Sequence, residues 1–246
     1  MTADDRPIPS VWARPSRERR EQPALSRQQI VAEAVRLLDA EGIEALSMRK
    51  LGTRLGAGAT SLYRHVANKD ELIELAVDEI FGELQAPDMS DPANWREATT
   101  ACAQSMRTVI LRHPWIASML GAMAYLGPNL MRLSEDILGM LEAAGFSLTE
   151  ANSAMNTVFA YVIGMTGSEA AWLTMLARSG QTEREWAERL GPALQEATRS
   201  HPRLGALFAA QADQDPAKVR DHEFAYGLER ILDGLAVARA SGSTAG

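Results

Sequence analysis

Between Ala45 and Lys69 the chain reads ALSMRKLGTRLGAGATSLYRHVANK, with five cations (Arg49, Lys50, Arg54, Arg64 and Lys69) and no Asp or Glu. The whole chain carries a net charge of −7, so a window cleared of carboxylates points to an anionic partner. The spacing gives that partner a shape. Ser47 can cap a short helix that turns Leu51 and Leu55 inward, one turn apart. Gly56 and Gly58 interrupt it, and a second short helix runs through Thr60, Ser61, Leu62, Tyr63 and His65. Two short helices about a glycine turn form a helix-turn-helix, which lays its second helix in the major groove. Thr60, Ser61, Tyr63, Arg64 and His65 are left facing outward. With Ser47, Arg49 and Lys50 on the first helix and Lys69 beyond the second, they are types that bond phosphates and base edges. The expected ligand is double-stranded DNA.

Other chemistries find no such support. The four histidines (His65, His113, His201, His222) show no metal-ligand spacing. The single Cys102 excludes an internal disulfide and a cysteine-rich zinc site, fits a reducing compartment, and reads as a buried, inert thiol. There is no glycine-rich phosphate loop and no G-x-S-x-G. The expectation is a non-enzyme without metal or cofactor. Charged residues make up 23 %, as in ordinary globular proteins, and the pI near 5.2 argues against a general nucleic-acid coat. No secretion leader opens the chain, and no apolar run reaches the ~18 residues of a membrane span. A cytoplasmic protein is expected.

The elements that must position the cationic window read as helices throughout. Residues 1–25, with Arg14, Arg17, Arg19 and Arg20 among four prolines, read as a disordered basic arm that either follows DNA or remains a solvated tail. Residues 26–84 form the helix-turn-helix domain. Ser26 with Gln29 reads as a capping box, Gly42 as a stop, and Asn68 with Glu71 as a second cap. QAPDMSDP at 85–92 is a linker. Residues 92–240 form a larger helical domain with starts near Asn94, Pro114, Pro128, Thr149, Glu183 and Pro216. The fold class is all-α, with about nine or ten helices. Ala160, Gly164, Gly167 and Ala171 give segment 149–178 a stripe of small residues, and Phe224, Leu228 and Ile231 line the last helix. Pairing such helices about a two-fold axis predicts a homodimer; filling the protomer core is the alternative.

The run LLDAEGIEALSMRKLGTRLGAGATSLYRHVANKDELIELAVDEIFGEL resembles the tetracycline-repressor (TetR) family. HPWIASMLG and GPNLMRLSEDILGMLEAAGFSLTEA extend the resemblance into the second domain. The resemblance implies an Ω-shaped homodimer that represses transcription from a palindromic operator and releases it when the C-terminal domain binds an effector. It assigns Arg49 to a guanine, Thr60, Ser61, Tyr63, Arg64 and His65 to the reading helix, and Lys69 to a phosphate. Arg64 stands where the founding member has tryptophan and Ala59 replaces a polar base reader, so operator preference differs.

Effector positions diverge further. Where the founding member uses an asparagine, a phenylalanine, a metal-ligating histidine and a glutamate, this chain has Cys102, Met106, Leu120 and about Ser168, with Glu169 adjacent. Magnesium needs oxygen ligands, so neither metal nor tetracycline is expected. The remaining candidates are soft or aromatic: Met106, Trp115, Met123, Phe159, Met165 and Trp172 beside Cys102 and Leu120. They suit a hydrophobic or aromatic effector. Glu169 is the one charge among them, meeting either a ligand or the other half of a dimer. An orphan DNA-binding regulator without a small-molecule effector is the alternative reading.

Overall fold

The computed structural model describes residues 25–85, 87–120 and 126–242, and all its regular elements are helical. The arm at 1–24 and Met123 lie outside the described residues. Helix α1 (Arg27–Glu41) starts as the sequence predicts: the Ser26 hydroxyl accepts the Gln29 N–H at 3.1 Å, and the Gln29 side chain accepts the Ser26 N–H at 2.9 Å. It stops at Gly42, whose φ of 80° suits glycine. Helix α2 (Met48–Arg54) and the four-residue α3 (Ala59–Leu62) follow, and the Ser47 hydroxyl caps α2 by accepting the Lys50 N–H at 3.2 Å. The expected second helix is shorter than its sequence suggests, passing into a turn at Tyr63. Helix α4 (Lys69–Phe81) starts where Asn68 accepts the Glu71 N–H at 2.8 Å. Leu37, Leu51, Leu62, Leu72 and Ala76 are fully buried and weld the four helices together.

The body comprises α5 (Trp95–Arg112), α6 (Ile116–Met119), α7 (Pro128–Ala143), α8 (Leu148–Ser179), α9 (Glu183–Thr198), α10 (Pro202–Gln211) and α11 (Pro216–Gly242). Helix α8 is its axle and packs against α5, α6, α7 and α11. The described residues thus form eleven α-helices, two of them only four residues long. The count exceeds the expected nine or ten because α10 is separate, opened by Pro202 as α7 is by Pro128. Among the described residues no helix is long and apolar enough to cross a membrane.

Two expected dimer residues sit elsewhere. Phe224 and Leu228 are only 3 % and 2 % exposed and face the protomer interior. The Tyr161 hydroxyl donates to the Phe224 carbonyl at 2.8 Å, and a side chain at Gly227 would collide with the Tyr161 ring. Close approach of α8 and α11 within one protomer therefore accounts for this apolar stripe. Ile231 is half-buried. Ala160, Gly164 and Ala171 remain exposed, while Gly167 is half-buried near Ala117.

Gly52 carries a testable constraint. A Cβ there would sit 2.7 Å from the Ala57 carbonyl oxygen, which the α2–α3 turn cannot withdraw freely because the Ala57 N–H donates to the Gly52 carbonyl at 2.8 Å. Gly52→Ala should destabilise the protein by about 1–3 kcal/mol through overpacking, measured by urea denaturation. An unchanged midpoint would show that the turn relaxes freely.

Candidate nucleic-acid interface and internal cavity

The cationic window folds into one exposed face, but its cations are not equivalent. Lys50 pairs with Glu41, and Arg54 pairs with Glu33 at 2.6 Å. Both are thus turned back onto carboxylates of α1, and the Arg54 guanidinium holds the Glu33 carboxyl below its usual range. Arg49 and Arg64 are exposed and have no acidic partner among the described residues. Lys69 occupies the first turn of α4, where its ammonium donates to the Ile43 carbonyl at 3.3 Å and keeps two further protons free. Ser47 is exposed, with its hydroxyl engaged in capping α2. Thr60, Ser61 and Tyr63 face solvent on and just after α3, and His65 is half-buried beside them.

The body holds a partly open cavity of about 220 Å³. Phe81 at the end of α4 and Leu84 and Gln85 just beyond it line one side, and residues of α5, α7, α8 and α11 supply the rest. Trp95, Leu133, Ile137 and Phe159 give apolar surface, while Thr99, Ser134 and Asn156 give polar points. Among the described wall residues only Cys102 can ionise, and burial pushes its thiol up to about 11. The wall is therefore uncharged at neutral pH.

Of the predicted effector residues, the structure brings Cys102, Met106 and Phe159 into this wall. The other described ones lie elsewhere. Leu120 is buried in the core and Met165 is exposed. The Trp115 indole donates to Asp39 of α1 at 2.8 Å, beside the buried His113, whose Nδ1 lies 2.7 Å from the same carboxylate oxygen. Glu169 does not line this cavity, and its side chain is turned inward. It accepts two hydrogen bonds from Arg107, at 2.9 and 3.0 Å, and one from Arg220 at 3.1 Å. Trp172 donates to Glu183 at 2.7 Å and meets Trp186 edge-on at 4.5 Å between centroids. Arg220 holds the Glu183 carboxyl below its usual range. This cluster ties α9 to α8 and α11 within one protomer.

Sequence reasoning missed Phe81, Leu133, Ile137, Ala154, Val162 and Leu235 in the wall. Each sits on an apolar helical stripe, and the same period describes a packed core. Among the described residues no group of three or more His, Cys, Asp or Glu side chains gathers to hold a metal ion.

The comparisons agree with this architecture. The family described as "Bacterial regulatory proteins, tetR family" matches residues 30–76, and "Tetracyclin repressor-like, C-terminal domain" matches 86–239. An HTH-type transcriptional regulator of Saccharopolyspora erythraea is 37 % identical over 92 % of this chain and 91 % of its own. The HTH-type transcriptional repressor DrrR1 of Streptomyces coeruleorubidus is 34 % identical over 91 % of this chain and 81 % of its own. Among solved structures, the TetR family protein ActR of Streptomyces coelicolor in complex with actinorhodin superposes with a TM-score of 0.73 at 30 % identity, covering 88 % of this chain and 98 % of that one. The chain belongs to the tetracycline-repressor (TetR) family of DNA-binding transcriptional regulators.

Proposed function

We propose that this protein is a cytoplasmic homodimeric repressor that holds a palindromic operator and releases it when an uncharged, largely aromatic small molecule enters the body of each protomer. The observation that carries the reading is the uncharged cavity lined by the end of α4, because α4 is also the helix that follows the reading helix. Residues 26–84 are the DNA-binding domain and 92–240 the effector-binding and dimerisation domain. Arg49 and Arg64 supply the unpaired charge, Thr60, Ser61, Tyr63 and His65 the reading surface, and Lys69 a phosphate contact. A ligand charge placed against this wall would lose its hydration without an ionic partner. An apolar ring system with a few hydroxyl or carbonyl groups fits the scattered Thr99, Ser134 and Asn156. The ActR structure, a relative in complex with actinorhodin, supports a small-molecule effector. The cavity also favours this reading over an orphan regulator, whose body needs no internal space.

For the dimer, the exposed Ala160, Gly164 and Ala171 provide the close-approach face on α8. An added Cβ at Gly164 meets nothing within 4 Å among the described residues of the protomer. Nothing among them therefore offsets the roughly 1 kcal/mol a helical glycine costs relative to alanine. Two heads must then set their reading helices ~34 Å apart to occupy successive major grooves.

Fluorescence anisotropy against an operator selected from a random-sequence library tests the DNA face. Arg49→Ala should cost about 1–3 kcal/mol and relax base preference, whereas Lys69→Ala should weaken all sequences alike and flatten the salt slope by about 1. An unchanged slope would remove Lys69 from the phosphate contacts, and no DNA binding at low salt would overturn the proposal. For the effector, the sign follows from Cys102. Its thiol, raised to about 11, stays neutral at ordinary pH. Affinity for a neutral effector should therefore be flat between roughly pH 6 and 9 and fall only as the thiolate forms above that. A titration midpoint near pH 7 would place an ionisable group in the site and contradict the neutral wall.

A further inference from the structure

Helix α4 and the turn after it are anchored to two walls of the cavity, α7 and α5. Toward α7, Asp78 acts as a cap supplied from another helix. Its Oδ1 accepts the N–H groups of Asn129 and Leu130 at 3.0 and 3.2 Å. The Asn129 side chain returns two bonds, to the Asp78 carbonyl at 3.0 Å and to its Oδ2 at 3.1 Å. The residue preceding α7, Gly127, gives no side-chain cap, and any Cβ there would overlap the Asp78 carboxylate. Glycine is required because the carboxylate must reach the first N–H groups of α7. An anion there also meets the positive end of the helix dipole. Toward α5, Glu83 just beyond α4 accepts from Arg112 at 2.9 Å and lies 3.3 Å from Nε2 of the buried His113. The two anchors are five residues apart, a span of ~7.5 Å on a helix.

The cavity lies between these walls. Leu130, whose N–H Asp78 holds, lines it, as do Met106 on α5 and Phe81 on α4. An occupant that moves α7 relative to α5 must turn α4 or break one of its two anchors, the Asp78 cap or the Glu83 contacts.

Building on the effector-cavity reading above, we infer that Asp78 is the positioning residue that converts occupancy of the cavity into movement of the DNA-binding head. With the cap intact, α4 follows the first turn of α7. With the cap removed, α7 yields alone and the head keeps its place. Asp78 lies on neither the DNA face nor the cavity wall and meets the wall only through the Leu130 N–H, so its loss acts on the linkage between them rather than on either binding surface.

The sole cysteine supplies an occupant without knowledge of the natural effector. Benzyl methanethiosulfonate, applied at raised pH to overcome the elevated thiol pKa, forms a disulfide with Cys102 and expels methanesulfinate, tethering an aromatic ring in the cavity. Operator affinity is then measured by anisotropy on labelled and unlabelled full-length protein, with dithiothreitol to reverse the label. The parent should lose at least tenfold in affinity on labelling and regain it on reduction. Asp78→Ala should lose less than threefold, and Asp78→Asn, which keeps an acceptor, should recover most of the response. Thermal melting identifies the folded variants; if Asp78→Ala does not fold, Asn129→Ala takes its place, with a response reduced at least threefold. An equal loss in the parent and the folded cap variant would overturn the Asp78 assignment. A labelled parent that keeps its full operator affinity would instead overturn the effector-cavity reading itself.

Discussion

Helix α4 packs against α1 on one side and α7 on the other, so one rod belongs to the cores of both head and body. Leu72, Ala76, Val77 and Ile80 are at most 1 % exposed. Burying a large aliphatic side chain contributes about 1.5–3 kcal/mol, so detaching the rod from either core is expensive. It can tilt or rotate but does not readily melt. This constraint makes a cavity at one end consequential at the other. A ligand redistributes such a molecule between arrangements only by the difference in its affinity for them. A cavity lined by α4 itself is the place where that difference can be large.

Charge is used differently in the head and in the body. The pairs Lys50–Glu41 and Arg54–Glu33 are partly exposed, and such pairs contribute about 0–1 kcal/mol. They do little for stability. Their effect is to fix the direction of α2 on α1 and to neutralise two of the window's cations locally. In the body, Arg107, Glu169, Arg220 and Glu183 form a less exposed chain with bidentate geometry. Removing one member there would strand its partner, a far larger penalty than loss of a surface pair. The body's ionic cluster is therefore scaffolding, while Arg49 and Arg64 of the head, without an acidic partner among the described residues, are available for a ligand.

The sequence revealed most where the determinant is local. Ser26 with Gln29, Gly42 and Asn68 act within a few residues of themselves, and each sets the helix boundary expected of it. The outward residues of the window were legible for the same reason, since a glycine turn and two leucines define the inward side. Long-range facts were not legible. Glu169 finds its partners 62 and 51 positions away, and no spacing rule distinguishes that from a bond across a dimer. Cys102, Met106 and Phe159 were found, but Phe81 and Leu133 look identical to core. A cavity is a missing volume, and hydrophobic periodicity cannot report what is missing. The Asp78 cap joins residues 51 positions apart, and only the small size of Gly127 hints at it.

The cavity's polarity has its own internal reporter. Burial is the one cause that raises the Cys102 thiol to about 11, and a thiol responds in this way when nothing nearby stabilises its anion. Any anionic group of a ligand placed beside Cys102 would meet the same environment. The TetR resemblance places a polar anchor at Cys102 and a metal ligand at Leu120, and this chain has neither. Instead the wall offers Met106, Phe159 and the end of α4, surfaces that reward shape and apolar area. A binding site that has exchanged ionic for dispersive recognition loses directional selectivity and gains tolerance of related ring systems. In the proposed effector site the same exchange would put more of the binding energy into displacing helices, because an apolar ligand is held by the walls closing on it and not by a fixed ion.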